Sequence, residues 1–327
     1  MSINVHLLRA LRSEADEKLR SLLDDNVKLT SGGDFSHPAD FHILVEGRPE
    51  RSDLEACPNL RALIIPYAGL SDSTRDIMGE FPQVSVHNLH HNAIPTAEMA
   101  ISLMLAAAKN IVFYDRPFRE NDWTRRYQQN PSVLLYGKTV LILGYGKIGQ
   151  HVARVSQGMG MKVLAFRRQA RKENDTGVEV YGPEELMGIL PQAQFLVIAL
   201  PLTPETNGMI GAQEIARMPK GSVLVNVGRG PVVDQEALFN ALKGGHLNSA
   251  GLDVWYNYPQ NEESRQNTPP SDFPFNELEN VILSPHRGGE GGTLDVELLR
   301  VQHLAGLLNA AARGEPIPNK VDLQIGY

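Results

Sequence analysis

Thr139-Val-Leu-Ile-Leu-Gly-Tyr-Gly-Lys-Ile-Gly149 is the stretch on which the fold turns. Its first five residues are apolar or β-branched without polar alternation, which reads as a strand covered on both faces. Gly144-x-Gly146-x-x-Gly149 follows at once, and Ile148–Gln157 then reads as a helix. The glycine pattern alone is weak, because glycine is common and the pattern is short. Its context makes it specific: a strand before, a helix after, and a second strand, Val163–Phe166, roughly twenty residues on. Gly144 permits the tight turn, Gly146 lets backbone approach a pyrophosphate, and Gly149 allows close helix packing. Lys147 and Ile148 complete the phosphate loop at a helix start, where free N–H groups and the helix dipole favour an anion.

A dinucleotide is therefore the expected cofactor. The second strand ends in Arg167-Arg168, with Arg171 and Lys172 beyond. An acid that accepts hydrogen bonds from the ribose hydroxyls is expected at the first of these positions. A guanidinium reverses the preference, since it binds a 2′-phosphate through charge-assisted bonds. NADP is expected on that ground, with NAD the alternative; a solvated basic turn is the bland explanation.

Outward from this unit, short apolar runs alternate with helix-period segments, the pattern of parallel sheets covered by helices. Strands are expected at Val140–Leu143, Val163–Phe166, Phe195–Leu200, Val223–Val227, Ala250–Val254 and Val281–Ser284. The helices between them include Glu184–Leu190 and Gln235–Leu242. Before them, Val5–Leu8, His42–Val45, Ala62–Ile65 and Val84–Asn88 read as strands of a smaller unit. That unit also has a helix at Ser71–Phe81, which Asp72 and Ser73 can cap. An Ala-rich buried helix is expected at Thr96–Ile111, then a polar surface excursion at Arg116–Pro131. The last helix, Leu294–Arg313, ends at Gly314 with Pro316 and Pro318 beyond, and needs the first unit as its partner.

The fold class is α/β: a Rossmann doubly wound parallel sheet inserted into a smaller flavodoxin-like α/β substrate domain. The expected boundaries are 1–103 for the first part of the substrate domain, 104–288 for the dinucleotide domain, and 289–327 for the returning helix. Tyr256–Phe275, rich in Pro, Asn, Gln and Ser, is a long loop of the kind that is often functional.

A chain of 327 residues suits two domains, and 42% hydrophobic with 21% charged residues is a globular composition. A net charge of −7 argues against nucleic acid or an anionic membrane as partner. Cys57 is the sole cysteine, so no intramolecular disulfide forms, and a packing role is expected for it. The first residues read as a strand rather than a signal peptide, and no apolar stretch reaches the length of a span. Cytoplasm is the expected compartment.

Three further segments end Rossmann strands on the ligand edge: Val225-Asn-Val-Gly-Arg-Gly-Pro-Val-Val-Asp234, Gly251-Leu-Asp-Val254 and Leu283-Ser-Pro-His-Arg-Gly-Gly289. With Ala68-Gly69, Pro95-Thr-Ala-Glu98 and Leu200-Pro-Leu-Thr-Pro-Glu-Thr206, the chain resembles the D-2-hydroxyacid dehydrogenase family over nearly its whole length. The resemblance implies hydride transfer between NAD(P)H and a small 2-oxo or 2-hydroxy acid such as glyoxylate or hydroxypyruvate. It makes Arg229 the substrate-binding arginine and His286 the acid/base. It gives Asp253 to the nicotinamide amide, and the backbone around Tyr67–Leu70, including Ala68 and Gly69, to the substrate carboxylate. Pro201, Thr206, Val227 and Gly288 become cofactor contacts, and a homodimer is implied, with contact near Thr96–Ile111 and Arg116–Pro131. Physically, Arg229 can hold a carboxylate and polarise a ketone, while His286 can protonate the ketone oxygen as hydride arrives.

One departure stands out. The family places a Glu just before a proline to pair with the histidine, and here Tyr258 precedes Pro259. Glu262, Glu263 or Glu290 could replace it. The loss keeps open a nucleotide-binding sensor or corepressor-like module with little turnover, and an enzyme whose substrate supplies the acid; the pair Arg229 and His286 favours chemistry. His87-Asn-Leu-His-His91 lacks a Cys or acidic partner at suitable spacing, so lining a substrate pocket is favoured over binding metal. Trp123 and Trp255 are read as packing residues.

Overall fold

The computed structural model describes residues 2–33, 35, 38–129, 131–168, 177–289 and 292–324, so Arg171, Lys172 and Glu290 lie outside the described residues. The chain forms two units, Met1–Asn92 with Glu290–Tyr327, and Ala93–Gly289.

In the first unit, β1 (Ile3–Leu7), β2 (Val27–Ser31), β3 (Ile43–Val45), β4 (Ala62–Ile65) and β5 (Ser85–Asn88) make a parallel sheet in the order β2-β1-β3-β4-β5. That is the flavodoxin order, whose direction reverses between β1 and β3. Strand periodicity divides the core. Ile43, Val45 and Ile64 pack with Leu19 of α1 (Ser13–Leu22) on one face. Leu44, Leu63 and Ile65 pack on the other with Leu54 of α2 (Arg51–Glu55) and Met78 of α3 (Asp72–Gly79). β2 was not among the expected strands, because Val27-Lys28-Leu29-Thr30-Ser31 is a partly exposed edge with little apolar signal. Ser71, rather than Asp72 or Ser73, caps α3, accepting from the N–H of Thr74.

The second unit begins with α4 (Ala93–Ala108) and α5 (Ile111–Arg119). Its strands are β6 (Thr139–Leu143), β7 (Lys162–Phe166), β8 (Glu179–Tyr181), β9 (Phe195–Ile198), β10 (Ser222–Asn226), β11 (Leu247–Leu252) and β12 (Val281–Leu283). They are parallel, in the order β12-β11-β10-β9-β6-β7-β8. Renumbered within the unit this is 3-2-1-4-5-6 with one added strand, the dinucleotide-binding order. The unexpected strand is β8, a three-residue edge. Between strands run α6 (Lys147–Gly158), the single turn α7 (Leu186–Ile189), α8 (Ala212–Arg217) and α9 (Gln235–Lys243).

The division falls at Asn92/Ala93 and Gly289/Glu290 rather than at 103/104 and 288/289. The reason is α4, whose Ala97, Ala100, Leu103, Met104 and Ala107 pack against Val140, Ile142, Phe195 and Val223 of the second sheet. The apolar helix also stops at Ala108, short of Ile111, since Asn110 takes φ +52 and starts a new direction. The expected excursion at Arg116–Pro131 is therefore partly helical. No single described helix is long and apolar enough to cross a membrane; α4 and α5 together pass by length and composition, but are bent by 68°.

The last helix, α10 (Leu294–Ala312), belongs to the first unit. Thr293 caps it, its Val301, Leu304 and Leu308 join the core beside Leu19, and Gly314 at φ +72 closes it. The second unit is thus inserted into the first.

Candidate active site

The reversal of strand order between β6 and β9 fixes where the second unit binds ligands. Gly144 sits at φ +101, and a Cβ there would lie 2.6 Å from the carbonyl oxygen of Ala199. A Cβ on Gly149 would overlap the carbonyl oxygen of Gly144. Both glycines are demanded by the protein itself. Gly146 differs: its φ is −86 and a Cβ would meet nothing within 4 Å. No neighbour requires a glycine there, so the open space above it fits a ligand that must touch backbone. It precedes Lys147, the first residue of α6, and offers that helix no side-chain cap. The opening N–H groups and positive dipole end are left for an anion. Gly146 and Lys147 are exposed and Ile148 is half-buried. These residues fit a dinucleotide pyrophosphate.

At the end of β7, the N–H of Arg167 bonds to the carbonyl of Tyr181, and its side chain is half-buried. Arg168 is exposed, and its charge reaches Glu205 in the loop after β9. That loop is fixed by Thr206, which donates to the carbonyl of Pro201 at 2.7 Å and accepts from the N–H of Thr203 at 2.8 Å. Val227 is buried and donates its N–H to Ile198.

The catalytic candidates gather at the ends of β10, β11 and β12. Asn226, buried at the end of β10, accepts from the N–H of Gly228 at 3.0 Å and donates to the carbonyl of Arg229 at 2.9 Å. These two bonds shape the turn that presents Arg229, whose Nη1 donates to the carbonyl of Gly228 at 2.7 Å. Asp253 is 1% exposed and accepts from the Ser284 hydroxyl and from the N–H groups of Arg287 and Gly288, each of these at 2.8 Å. A Cβ on Gly288 would lie 2.6 Å from the Asp253 carboxylate, which explains that glycine. From the other side, the indole of Trp255 donates to the carbonyl of Ser284 at 2.8 Å.

His286 stands at the apex of this clamped segment with φ +59, a left-handed conformation uncommon outside glycine. Its Nδ1 lies 2.9 Å from the phenol oxygen of Tyr258, which also accepts from the N–H of Trp255 at 3.1 Å. A phenol both donates and accepts, so it can serve either protonation state of the imidazole. Burial, then the charge of Arg229, pushes His286 below its ordinary value of 6.5, opposed by Asp253. Burial raises the Tyr258 phenol, so it stays protonated at neutral pH. Glu262 is paired with Arg265 at 2.6 Å on the surface, and among the described residues the charges acting on His286 are those of Arg229 and Asp253. Tyr258 itself thus occupies the partner position. Ser284, Asn226 and the indole of Trp255 had not been singled out as site builders. Asn226 was open to detection, as a polar residue closing a fully apolar strand.

In the first unit, the carbonyl of Ala68 accepts from Asn88 at 2.7 Å, and Gly69 follows in the same loop after β4. His87 is 3% exposed with both ring nitrogens engaged, by the carbonyl of Pro318 and the hydroxyl of Ser85. Among the described residues, no group of three His, Cys, Asp or Glu could hold a metal ion. Cys57 is buried, as a packing residue should be, and Trp255 packs edge-on to Phe275. Trp123 is 55% exposed and touches Phe118, so it does not belong to a core.

The family described as D-isomer specific 2-hydroxyacid dehydrogenase, NAD binding domain, matches residues 101–288, more than half of the chain. The chain belongs to this family. Among its relatives, a glyoxylate reductase of Korarchaeum cryptofilum is 38% identical over 236 residues, 70% of this chain and 66% of that protein. A D-3-phosphoglycerate dehydrogenase of Methanocaldococcus jannaschii is 32% identical over 286 residues, 87% of this chain but only 52% of that protein. A solved D-isomer specific 2-hydroxyacid dehydrogenase from Xanthobacter autotrophicus, in complex with NADPH and MES, superposes with a TM-score of 0.79 at 26% identity, covering 100% of both chains. The second unit is the nucleotide domain of this chain, and the cofactor is a nicotinamide dinucleotide, NADP or NAD.

Proposed function

We propose that the chain is a reductase of small 2-oxo acids such as glyoxylate or hydroxypyruvate, prefers NADPH, and uses Arg229 as substrate clamp and His286 as acid. The observation that carries this is the convergence of three strand ends on one point. The turn after β10 presents Arg229, Asp253 and Trp255 after β11 clamp the segment after β12, and His286 pairs with Tyr258. A binding module would have no need to hold a histidine at positive φ next to a guanidinium. Relatives named as glyoxylate reductases support the substrate class.

When bound, the nicotinamide supplies the hydride. Arg229 pairs with the substrate carboxylate and polarises the ketone, and its charge also keeps the site attractive to anions. His286 delivers the proton to the ketone oxygen while the Tyr258 oxygen accepts a hydrogen bond from the Nδ1–H that the imidazole keeps. In the oxidation direction the other ring nitrogen, Nε2, takes the proton back, while Nδ1 keeps its hydrogen bonded to the phenol oxygen. Asp253 positions His286 through the backbone of its segment, and its remaining acceptor capacity is what the nicotinamide amide would use. Ala68 and Gly69 hold the substrate carboxylate through backbone. Arg167 and Arg168 supply the preference for a 2′-phosphate.

The chain acts as a homodimer in this proposal. Ile111, Phe118, Trp123 and Tyr127, along α5 and the turn after it, are 54%, 52%, 55% and 80% exposed, an apolar surface suited to a second copy.

The deciding experiment is a panel of 2-oxo acids incubated with NADPH, read as loss of nicotinamide absorbance. Turnover of glyoxylate or hydroxypyruvate is the expected result. Binding of NADPH without reduction of any member would transfer the case to a nucleotide sensor.

A further inference from the structure

The long loop after β11 reaches the acid His286 through one side chain, Tyr258, which is 41% exposed. A phenol so open to water gains little from packing, and its bond to Nδ1 must offset the freedom lost in making it. It stays in place only if the backbone that carries it is anchored elsewhere.

The loop holds such an anchor. Its two ends are tied together, since the N–H groups of Tyr256 and Asn257 both donate to the carbonyl of Pro270, at 3.1 and 3.0 Å. Immediately before Tyr258, the side-chain amide of Asn257 donates to one carboxylate oxygen of Asp272 at 3.0 Å. The other oxygen of Asp272 accepts from the side-chain amide of Gln235, the first residue of α9, at 2.8 Å. The Gln235 side-chain carbonyl accepts in turn from the buried Ser271 hydroxyl at 2.9 Å and from the N–H of Asp272 at 3.3 Å. A second tie runs from the Tyr256 phenol, which donates to the carbonyl of Val233 at 2.9 Å.

Both ties end on the same piece of chain. Arg229 precedes the short turn Gly230–Val232, Val233 closes that turn, and Gln235 opens the helix that follows. The loop therefore runs as a strap from the turn that presents Arg229 to the phenol that partners His286. Asp272 is exposed, so water limits what its bonds add to stability. Their effect is geometric: one planar carboxylate receives donors from two segments and fixes the distance between them.

We propose that Asp272, with Asn257 and Gln235, is a positioning device that holds the Tyr258 phenol against His286 in register with Arg229. None of the three acts on the reacting atoms; they act through Tyr258. The inference rests on the roles proposed above for Tyr258 and His286, and names the groups that keep those two together.

The test is a double-mutant cycle, read as kcat and KM for glyoxylate reduction with saturating NADPH. Asn257→Ala removes the bond next to Tyr258 and should lower kcat by roughly 3- to 10-fold, the worth of one such bond, with KM unchanged. Asp272→Ala should do the same, and Asp272→Asn, which keeps an acceptor of the same shape, should restore part of the loss. In a Tyr258→Phe background Asn257→Ala should cost nothing further, because the group it positions is gone. An equal loss with and without the phenol would show a merely structural bond and overturn the assignment, as would a parent-like kcat in both Asn257→Ala and Asp272→Ala. If the parent reduces no 2-oxo acid, the reductase function fails, and nitrogen NMR of the His286 ring, assigned against His286→Ala, then decides the strap separately. A change of tautomer balance in Asn257→Ala matching that of Tyr258→Phe supports it; parent-like ring shifts in Asn257→Ala refute it.

Discussion

On the carboxyl edge of the second sheet, glycines and main-chain groups shape the site. Gly144 and Gly149 bring backbone against backbone, and Asp253 is turned inward onto three donors of the His286 segment. On the carboxyl edge of the first sheet, side chains dominate: Glu46 folds a turn around itself, Tyr67 covers it, and Arg48 projects from it. Both sheets are parallel and both reverse strand order once. The difference teaches that one edge is shaped by rigid backbone and the other by side chains folded onto their own turn.

The largest effect expected is on the second edge. His286→Ala should lower turnover by roughly two to four decades, the usual worth of a positioned acid, with NADPH affinity unchanged by fluorescence titration. Arg229→Ala should remove substrate binding and likewise spare NADPH. Two variants as active as the parent would break the contrast, since the second unit would then hold no chemistry.

Stability against pH comes next. His91 of the first unit is 7% exposed with Nδ1 unpaired, and burial beside Arg300, His303 and His90 pushes it down to about 4. Its folded value lies below the unfolded 6.5, so the unfolded chain binds the extra proton in between. The neutral form stabilises the fold above pH 6.5, and that contribution is lost as pH falls toward 4, on the order of 3 kcal/mol. Denaturant titrations should show His91→Phe losing less stability than the parent over that window. Parallel slopes would contradict it.

A pair of glycine variants sharpens what the backbone does. Gly149→Ala should destabilise by about 1–3 kcal/mol, through overlap with Gly144, and lower the Tm. Gly146→Val should leave the Tm nearly intact and weaken nucleotide binding, because the space it enters is empty of protein. Equal effects on both properties in both variants would show that Gly146 has no ligand to serve. Smaller again, replacing Arg167 and Arg168 by Asp and Ser should reduce the preference for NADPH over NADH by about one to two decades. Tighter binding of NADH by the parent would reverse the assignment.

Much of this was legible in the sequence, for a physical reason. Strands buried on both faces are continuous apolar runs, and Thr139–Leu143 leads into a glycine spacing that few other structures need. The capped and glycine-terminated α10 was visible for the same local reasons. β2 and β8 escaped because edge strands need not be apolar, and the true start of α4 escaped because which sheet a helix packs on is a tertiary fact. Arg229, His286 and Tyr258 could be named from motifs, whereas the Tyr258 bond to His286 depends on residues 28 apart in sequence meeting across a loop. The Arg48 turn had no motif at all. Its evidence is that Glu46 bends back on its own backbone, which only coordinates display.

The central claim is that a neutral phenol, not a carboxylate, partners the acid His286. Reduction needs the imidazolium, so kcat/KM must fall as pH rises through the histidine's pKa, which burial and Arg229 hold below 6.5. Tyr258→Glu places an anion beside the imidazolium, favours the charged form, and should move the alkaline limb upward by about one unit. The measurement is a pair of pH–rate profiles for 2-oxo acid reduction with saturating NADPH, parent against Tyr258→Glu. A parent limb below 6.5 that rises in the variant is the predicted result. A parent limb well above neutrality, unmoved by the substitution, would show that another acid pairs with His286.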